Sequence, residues 1–274
     1  MLAIHLALIF LTGLCTGVFG ALLGIGGGVF LIPVLVLLLH TEMYTAVAAS
    51  LLSVVATSSA AASVYLKNRL TNIRLGMTLE MATTAGGIAG GLIAVHVGEK
   101  ILQLLFAAIM IVTAIAMWKR PHEQTMPADH PQGHLGGEYF DRKLQHVVRY
   151  SVEHLPFGLG ISLIAGGLSG LLGIGGGVIK VPALVLVMRV PLRAATATSD
   201  FMIGVTALAS AYTYYSRGQM DLLVAGPASM GTFLGSLVGA HFGARLHSKV
   251  LSIIFAVVLA LTALEMLLRG LGKL

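Results

Sequence analysis

The octapeptide Leu-Leu-Gly-Ile-Gly-Gly-Gly-Val occurs at 22–29 and again, unchanged, at 171–178. The same offset of 149 residues carries Gly17 onto Gly166, Pro33 onto Pro182, Ser50 onto Ser199, Thr57 onto Thr206, Tyr65 onto Tyr214, Asn72 onto Asp221 and Gly90 onto Gly239. Ungapped matches on this scale mark a duplicated unit. Any fold must therefore hold two related structures. The predicted division is a repeat at 1–118, a hydrophilic linker at 119–154 and a second repeat at 155–274.

The solvent of this fold follows from the runs between those matches. Leu2–Leu23, Ala46–Leu66, Leu75–Val97 and Ile101–Trp118 are apolar, as are Phe157–Leu172, Ala194–Tyr215, Leu222–Phe242 and Val250–Leu268. Several reach the roughly 20 residues that cross a bilayer core. Charged residues make up 10% of the chain, where a water-soluble domain carries roughly 25%. The expected class is an all-α polytopic membrane protein. The N-terminal stretch lacks a basic start and a small-residue cleavage site, so it reads as a first membrane segment. Cys15, the one cysteine, is expected as a small core residue and excludes an internal disulfide.

The net charge of +6 does not call for nucleic acid, because Lys and Arg gather in short loops where orientation signals belong. The linker carries His122, His130, His134, His146 and His154. Their spacing fits no compact ligand set. A solvated cytoplasmic loop is the expectation, with no metal and no cofactor.

Each repeat opens with an apolar run cut by Gly-Ile-Gly-Gly-Gly. Phe157–Met188 is 32 residues long, about 48 Å as one helix, which overshoots a bilayer. Four glycines in that run would each weaken a helix by about 1 kcal/mol relative to alanine. The run is therefore expected to be two shorter helices joined by a glycine turn, as a broken span or a re-entrant hairpin. Irregular backbone survives at membrane depth only against protein or a wet cavity, and breaks of this kind form substrate sites where two repeats meet. On that ground Gly24, Gly26, Gly27 and Gly28, with Gly173, Gly175, Gly176 and Gly177, are candidate substrate-binding positions. Gly86, Gly87, Gly90 and Gly91 read instead as close helix packing.

Two intramembrane charges sharpen this reading. Lys180 follows the second glycine cluster by three residues, where the first repeat is apolar. A cation there costs at least about 2.5 kcal/mol to insert and calls for an anion nearby. Asp200, opposite Leu51 in the first repeat, is the expected neighbour. It serves either as a structural ion-pair partner or as a group that tunes the site or carries a proton. Ser50, Thr198 and Ser199 are the candidate neutral donors; Ser53, Thr57, Ser58 and Thr196 are further hydroxyls that ordinary interhelical bonding would explain. Glu80, near a segment end, reads as interfacial, and Glu265 reads as paired with Arg269.

Loop charges give the orientation. Lys67, Arg69 and Arg74 crowd one loop of the first repeat, whereas in the second the bias passes to the neighbouring loops through Arg189, Arg193, Arg245 and Lys249. Opposite bias in matching loops favours inverted repeats: three spanning helices beside each re-entrant hairpin, and an external C-terminus. Eight spans in parallel repeats is the rival. Both place the linker inside.

The paired Gly-x-Gly-Gly-Gly with its following proline, and the Ala-Thr-Ala-Thr-Ser segment at 195–199, resemble the TauE/SafE family of sulfite and organosulfonate exporters. The likeness runs from about Leu11 to Leu268. It implies a permease for a small sulfur-containing anion in the bacterial inner membrane, with the glycine clusters, Pro33 and Pro182 as its carried-over positions. The expected partners are that anion and the bilayer; a homo-oligomer stays open. A passive anion channel and a cation- or proton-coupled carrier using Asp200 are the alternatives. A gradient-driven rather than an ATP-coupled carrier is expected, since the chain has no Walker-type loop, and an enzyme is not expected, since it has no His-Glu-x-x-His, no Gly-x-Ser-x-Gly and no convincing pair of catalytic residues.

Overall fold

The computed structural model describes residues 2–94, 96–118, 135–141, 145–242, 263–264 and 266–268. His122, His130, His134, Arg245, Lys249, Glu265, Arg269 and most of the run Val250–Leu268 lie outside them.

Helix α1 (Leu2–Leu23) is followed after a glycine break by α2 (Gly28–Pro33), which continues as a π-helical stretch, Val34–Leu38. Then come α3 (Met43–Lys67), α4 (Ile73–Ala94) and α5 (Glu99–Trp118). Strands β1 (Gly137–Asp141) and β2 (His146–Tyr150) precede α6 (Leu155–Leu172), α7 (Gly177–Pro182) with its π-helical continuation Ala183–Val187, α8 (Leu192–Tyr215) and α9 (Leu222–Phe242). The long run of the second half divides at its glycines, as its length requires. Pro33 and Pro182 lack an amide hydrogen, and each stands at the switch to wider π turns closed by Leu39 N–H to Val34 O and Met188 N–H to Ala183 O. His40 and Arg189, 149 residues apart, take the left-handed conformation just past those turns.

Among the described residues four helices, at 3–23, 43–67, 155–172 and 222–241, are long and apolar enough to cross a membrane. Helices α4 and α8 are of similar length, 22 and 24 residues, but carry the buried acids Glu80 and Asp200. Lipid gives no hydrophobic drive between helices, so close backbone approach must bring them together. Gly231, Gly235 and Gly239 of α9 lie against the Phe10, Leu14 and Val18 backbone of α1. In the same way Gly86 and Gly90 of α4 lie against Leu163 and Gly167 of α6, while Gly87 and Gly91 face Thr206 and Thr213 of α8. Away from these seams the surface is apolar, as in the stripe Met77, Met81, Ile88 and Leu92 of α4. Such a face suits hydrocarbon, not water. Cys15 is also exposed, a correction to the core position expected of it: it points away from the α1 seam, which Gly13 and Gly17 occupy against α9.

The linker departs from expectation at its C-terminal end. A fold without strands was predicted, yet β1 and β2 pair antiparallel, with Gly137 opposite Tyr150 and Asp141 opposite His146. Tyr139 and Tyr150 are buried with Leu75 of α4, Leu184, Met188 and Ala194. Asn72 ties the hairpin down. Its side-chain amide donates to Leu135 O (2.9 Å) and Tyr150 Oη (3.2 Å), while its Oδ1 accepts the Leu75 N–H at the start of α4. Burial raises the Tyr150 phenol above its ordinary pKa against a smaller lowering by Asn72, which keeps it a neutral partner. Tyr150→Phe is expected to cost about 1 kcal/mol, one neutral hydrogen bond, and to speed proteolysis within 135–150 with little change to the membrane helices.

Candidate functional site

The two glycine breaks meet. Within each break three glycines hold φ of 71–77°, a region that only glycine enters without a steric penalty, and this turns the chain back so that Gly27 packs on Thr16 and Gly20. Gly28, which opens α2, touches the Gly173 carbonyl; 149 residues on, Gly177, which opens α7, touches the Gly24 carbonyl. Those carbonyls belong to helix ends that have run out of intrahelical donors. Serines from the crossing helices satisfy them: Ser50 Oγ donates to Gly173 O (2.7 Å), and Ser199 Oγ to Gly24 O (3.0 Å). Val54 and Ile203 fill the centre, each against both Gly26 and Gly175. In this conformation the candidate glycines form a close-packed crossing, and the hydroxyl protons of Ser50 and Ser199 are committed to it. Thr198 is placed elsewhere. It accepts the Asn72 N–H at 3.0 Å and steadies the start of α4.

Lys180 is buried beside this crossing, but Asp200 is not its ion-pair partner. The ammonium lies 3.4 Å from Glu80 Oε2 and donates at 3.2 Å to Thr206 Oγ1. Thr206 Oγ1 in turn donates to Glu80 Oε1, which also accepts from Thr84 Oγ1 (2.9 Å). Glu80, expected at an interface, is instead buried in the middle of the α4 seam. Helix packing decides this: Gly87, two turns along α4 from Glu80, seats α4 directly on Thr206, so the carboxylate reaches the ammonium of α7. The counterparts 149 residues away are Leu31, Ser229 and Thr57. The ion pair is thus built once.

Asp200 is fully buried on α8. Its backbone carbonyl accepts from Ser58 Oγ, whereas both carboxylate oxygens lack a hydrogen-bond partner among the described residues. The hydroxyls of Ser53, Thr57 and Ser169 are likewise without partners there. A buried carboxylate with no donor is costly. It is therefore the second polar feature of the interior, distinct from the Lys180 cluster.

The family model described as "Sulfite exporter TauE/SafE" matches residues 9–266. The chain belongs to the TauE/SafE family. Its curated relatives include "Probable membrane transporter protein YunE" of Bacillus subtilis, 25% identical over 230 residues, covering 81% of this chain and 83% of the relative. "Probable membrane transporter protein MJ0441" of Methanocaldococcus jannaschii is 28% identical over 217 residues, covering 76% and 72%. No solved structure matches. Membership makes this chain a multi-pass membrane protein of a transporter family.

In this TauE/SafE chain the two glycine breaks were legible in the repeated octapeptide, but their contact with each other and the burial of Glu80 were not. One glutamate in the run Leu75–Val97 signals only that something must compensate it. Its partner lies 100 residues away on another element, and no spacing rule reaches that far.

Proposed function

We propose that the chain is a secondary transporter in which the repeats 1–118 and 155–274, inserted with opposite orientation, move a small anion past their interface. Sulfite or an organosulfonate is the substrate class, and the bacterial inner membrane the location. The carrying observation is Lys180, a buried ammonium next to the glycine crossing, which hydrogen-bonds across the interface to Glu80 of the other half. Exchanged contacts support a two-fold relation between the repeats, since Ser50 to Gly173 and Ser199 to Gly24 map onto each other at the repeat offset, and the opposite loop-charge bias favours the inverted form of it. Re-entrant glycine hairpins, with the linker inside, complete the reading. Because the crossing is packed shut, transport requires the repeats to part there, exposing Lys180 together with the glycine amides that face the opposite break. Ser50 and Ser199 then exchange glycine carbonyls for the anion.

The test is flux into proteoliposomes for sulfite, sulfate, sulfonates and carboxylates under two pH gradients. Lys180→Ala, on protein that elutes as a single species, is expected to slow the preferred anion on the order of 30-fold or more, the weight of a lost buried charge contact. Unchanged flux removes Lys180 from the site. A second reading, a cation- or proton-coupled carrier, draws on the partnerless carboxylate of Asp200; it predicts that Asp200→Asn stops transport while Lys180→Ala does not.

A further inference from the structure

The Lys180 cluster has a feature that holding the fold together does not require. A tight charge-assisted hydrogen bond between ammonium and carboxylate is about 2.7–2.9 Å long; here the separation is 3.4 Å. Thr206 stands between the two, accepting from the ammonium and donating to the carboxylate. Of the three ammonium protons, two are used among the described residues. Glu80 does not depend on Lys180 alone, because Thr84 and Thr206 also donate to it. The carboxylate therefore occupies one side of a cation that retains further capacity, and it has hydroxyl partners that stay with it if the cation turns away.

We propose that Glu80 is the empty carrier's internal stand-in for the substrate: the arriving anion takes its place on the Lys180 ammonium, and the displaced carboxylate accepts one proton. The inference rests on the anion-permease reading and deepens it. The cost of net charge in the interior drives the second half of the step. The resting pair is neutral. Adding a monovalent anion to Lys180 would leave one net negative charge in a low-dielectric interior, which is costly. A proton on a Glu80 oxygen restores neutrality. That proton comes from a hydronium ion on the side to which the site is open: its O–H bond breaks, an O–H bond forms on Glu80, and neutral water is left behind. Anion and proton then cross together, and Glu80 returns its proton when the anion leaves.

The surroundings leave few other carriers. Lys180 faces Glu80 from α7. Helix α6 has no titratable side chain. From α8 come Tyr214, whose hydroxyl donates to the Gly170 carbonyl, and Asp200, six residues before Thr206 and so about 9 Å away along the helix axis. Asp200 is the competitor.

Sulfite is added to purified protein in weak buffer, and proton uptake is measured at one pH for wild type, Glu80→Gln and Asp200→Asn, so that protons carried by sulfite itself cancel. Wild type and Asp200→Asn are expected to take up about one proton more per bound sulfite than Glu80→Gln. In proteoliposomes Glu80→Gln is expected to lose sulfite-driven proton movement, whatever its rate of sulfite–sulfite exchange. Infrared difference spectra of the wild type should gain a protonated-carboxyl band on sulfite binding that persists in Asp200→Asn; this reading does not depend on Glu80→Gln folding. Equal proton uptake in wild type and Glu80→Gln, absence of the band, or its loss in Asp200→Asn each overturns the proposal. A wild type that exchanges none of the anions tested sinks the permease reading itself, a result distinct from exchange without proton uptake.

Discussion

Glu80→Ala is expected to lower the free energy of unfolding by about 3–5 kcal/mol, and adding Lys180→Met should return most of that loss. The two residues are buried against one another. Removing the acid leaves an ammonium in an interior where water cannot reach it and where Thr206 offers a neutral oxygen only. Removing both charges leaves an apolar side chain of similar length beside the hydroxyls of Thr84 and Thr206, and replacing a buried pair in that way is often neutral. Denaturation in a mild detergent, read for both single variants and the double, gives the coupling energy directly. A double variant no more stable than Glu80→Ala would show that the pair does not hold the fold as described. The same double variant should be inactive in flux assays even where its stability recovers, which separates the structural role of the pair from its role in transport.

The second large effect belongs to the crossing. Gly177→Val and Gly28→Val are each expected to destabilise by about 3 kcal/mol, the upper range for overpacking a filled interior, and to abolish flux. A side chain at Gly177 would meet the Gly24 carbonyl and Ile25, and one at Gly28 would meet the Gly173 carbonyl and Ser50. Backbone cannot move aside as the end of a flexible side chain does. Gly160→Val is the control, because it faces open space on α6 and should behave like wild type. Yield of monodisperse protein and thermal unfolding check all three. Tolerance at Gly177 would mean that the breaks do not touch in the membrane.

The crossing and the ion pair were unequally legible before the structure. The duplicated octapeptide announced both breaks, and left-handed φ at Gly24, Gly26, Gly27 and their counterparts explains why glycine is favoured there. Lys180 and Asp200 stood out as charges in apolar segments, and both are buried. Their pairing did not follow from depth alone. Asp200 is 20 residues from Lys180 in sequence, and its carboxylate has no partner among the described residues, while Glu80 makes the bond. The hairpin of β1 and β2 was also missed, since its strands are short and lie in a segment whose composition reads as solvated loop; Tyr139 and Tyr150 form a buried face only because α4 and the end of the α7 segment supply the other side.

By itself the sequence determined the solvent, the duplication and the places where helices must break, because apolar length, repetition and glycine content act along the chain. Tertiary structure alone decided which charge meets Lys180 and which carbonyl each serine satisfies. Those contacts join residues 100 or more positions apart, and the depth at which the seams of α4 seat against α6 and α8 sets which side chains come within reach.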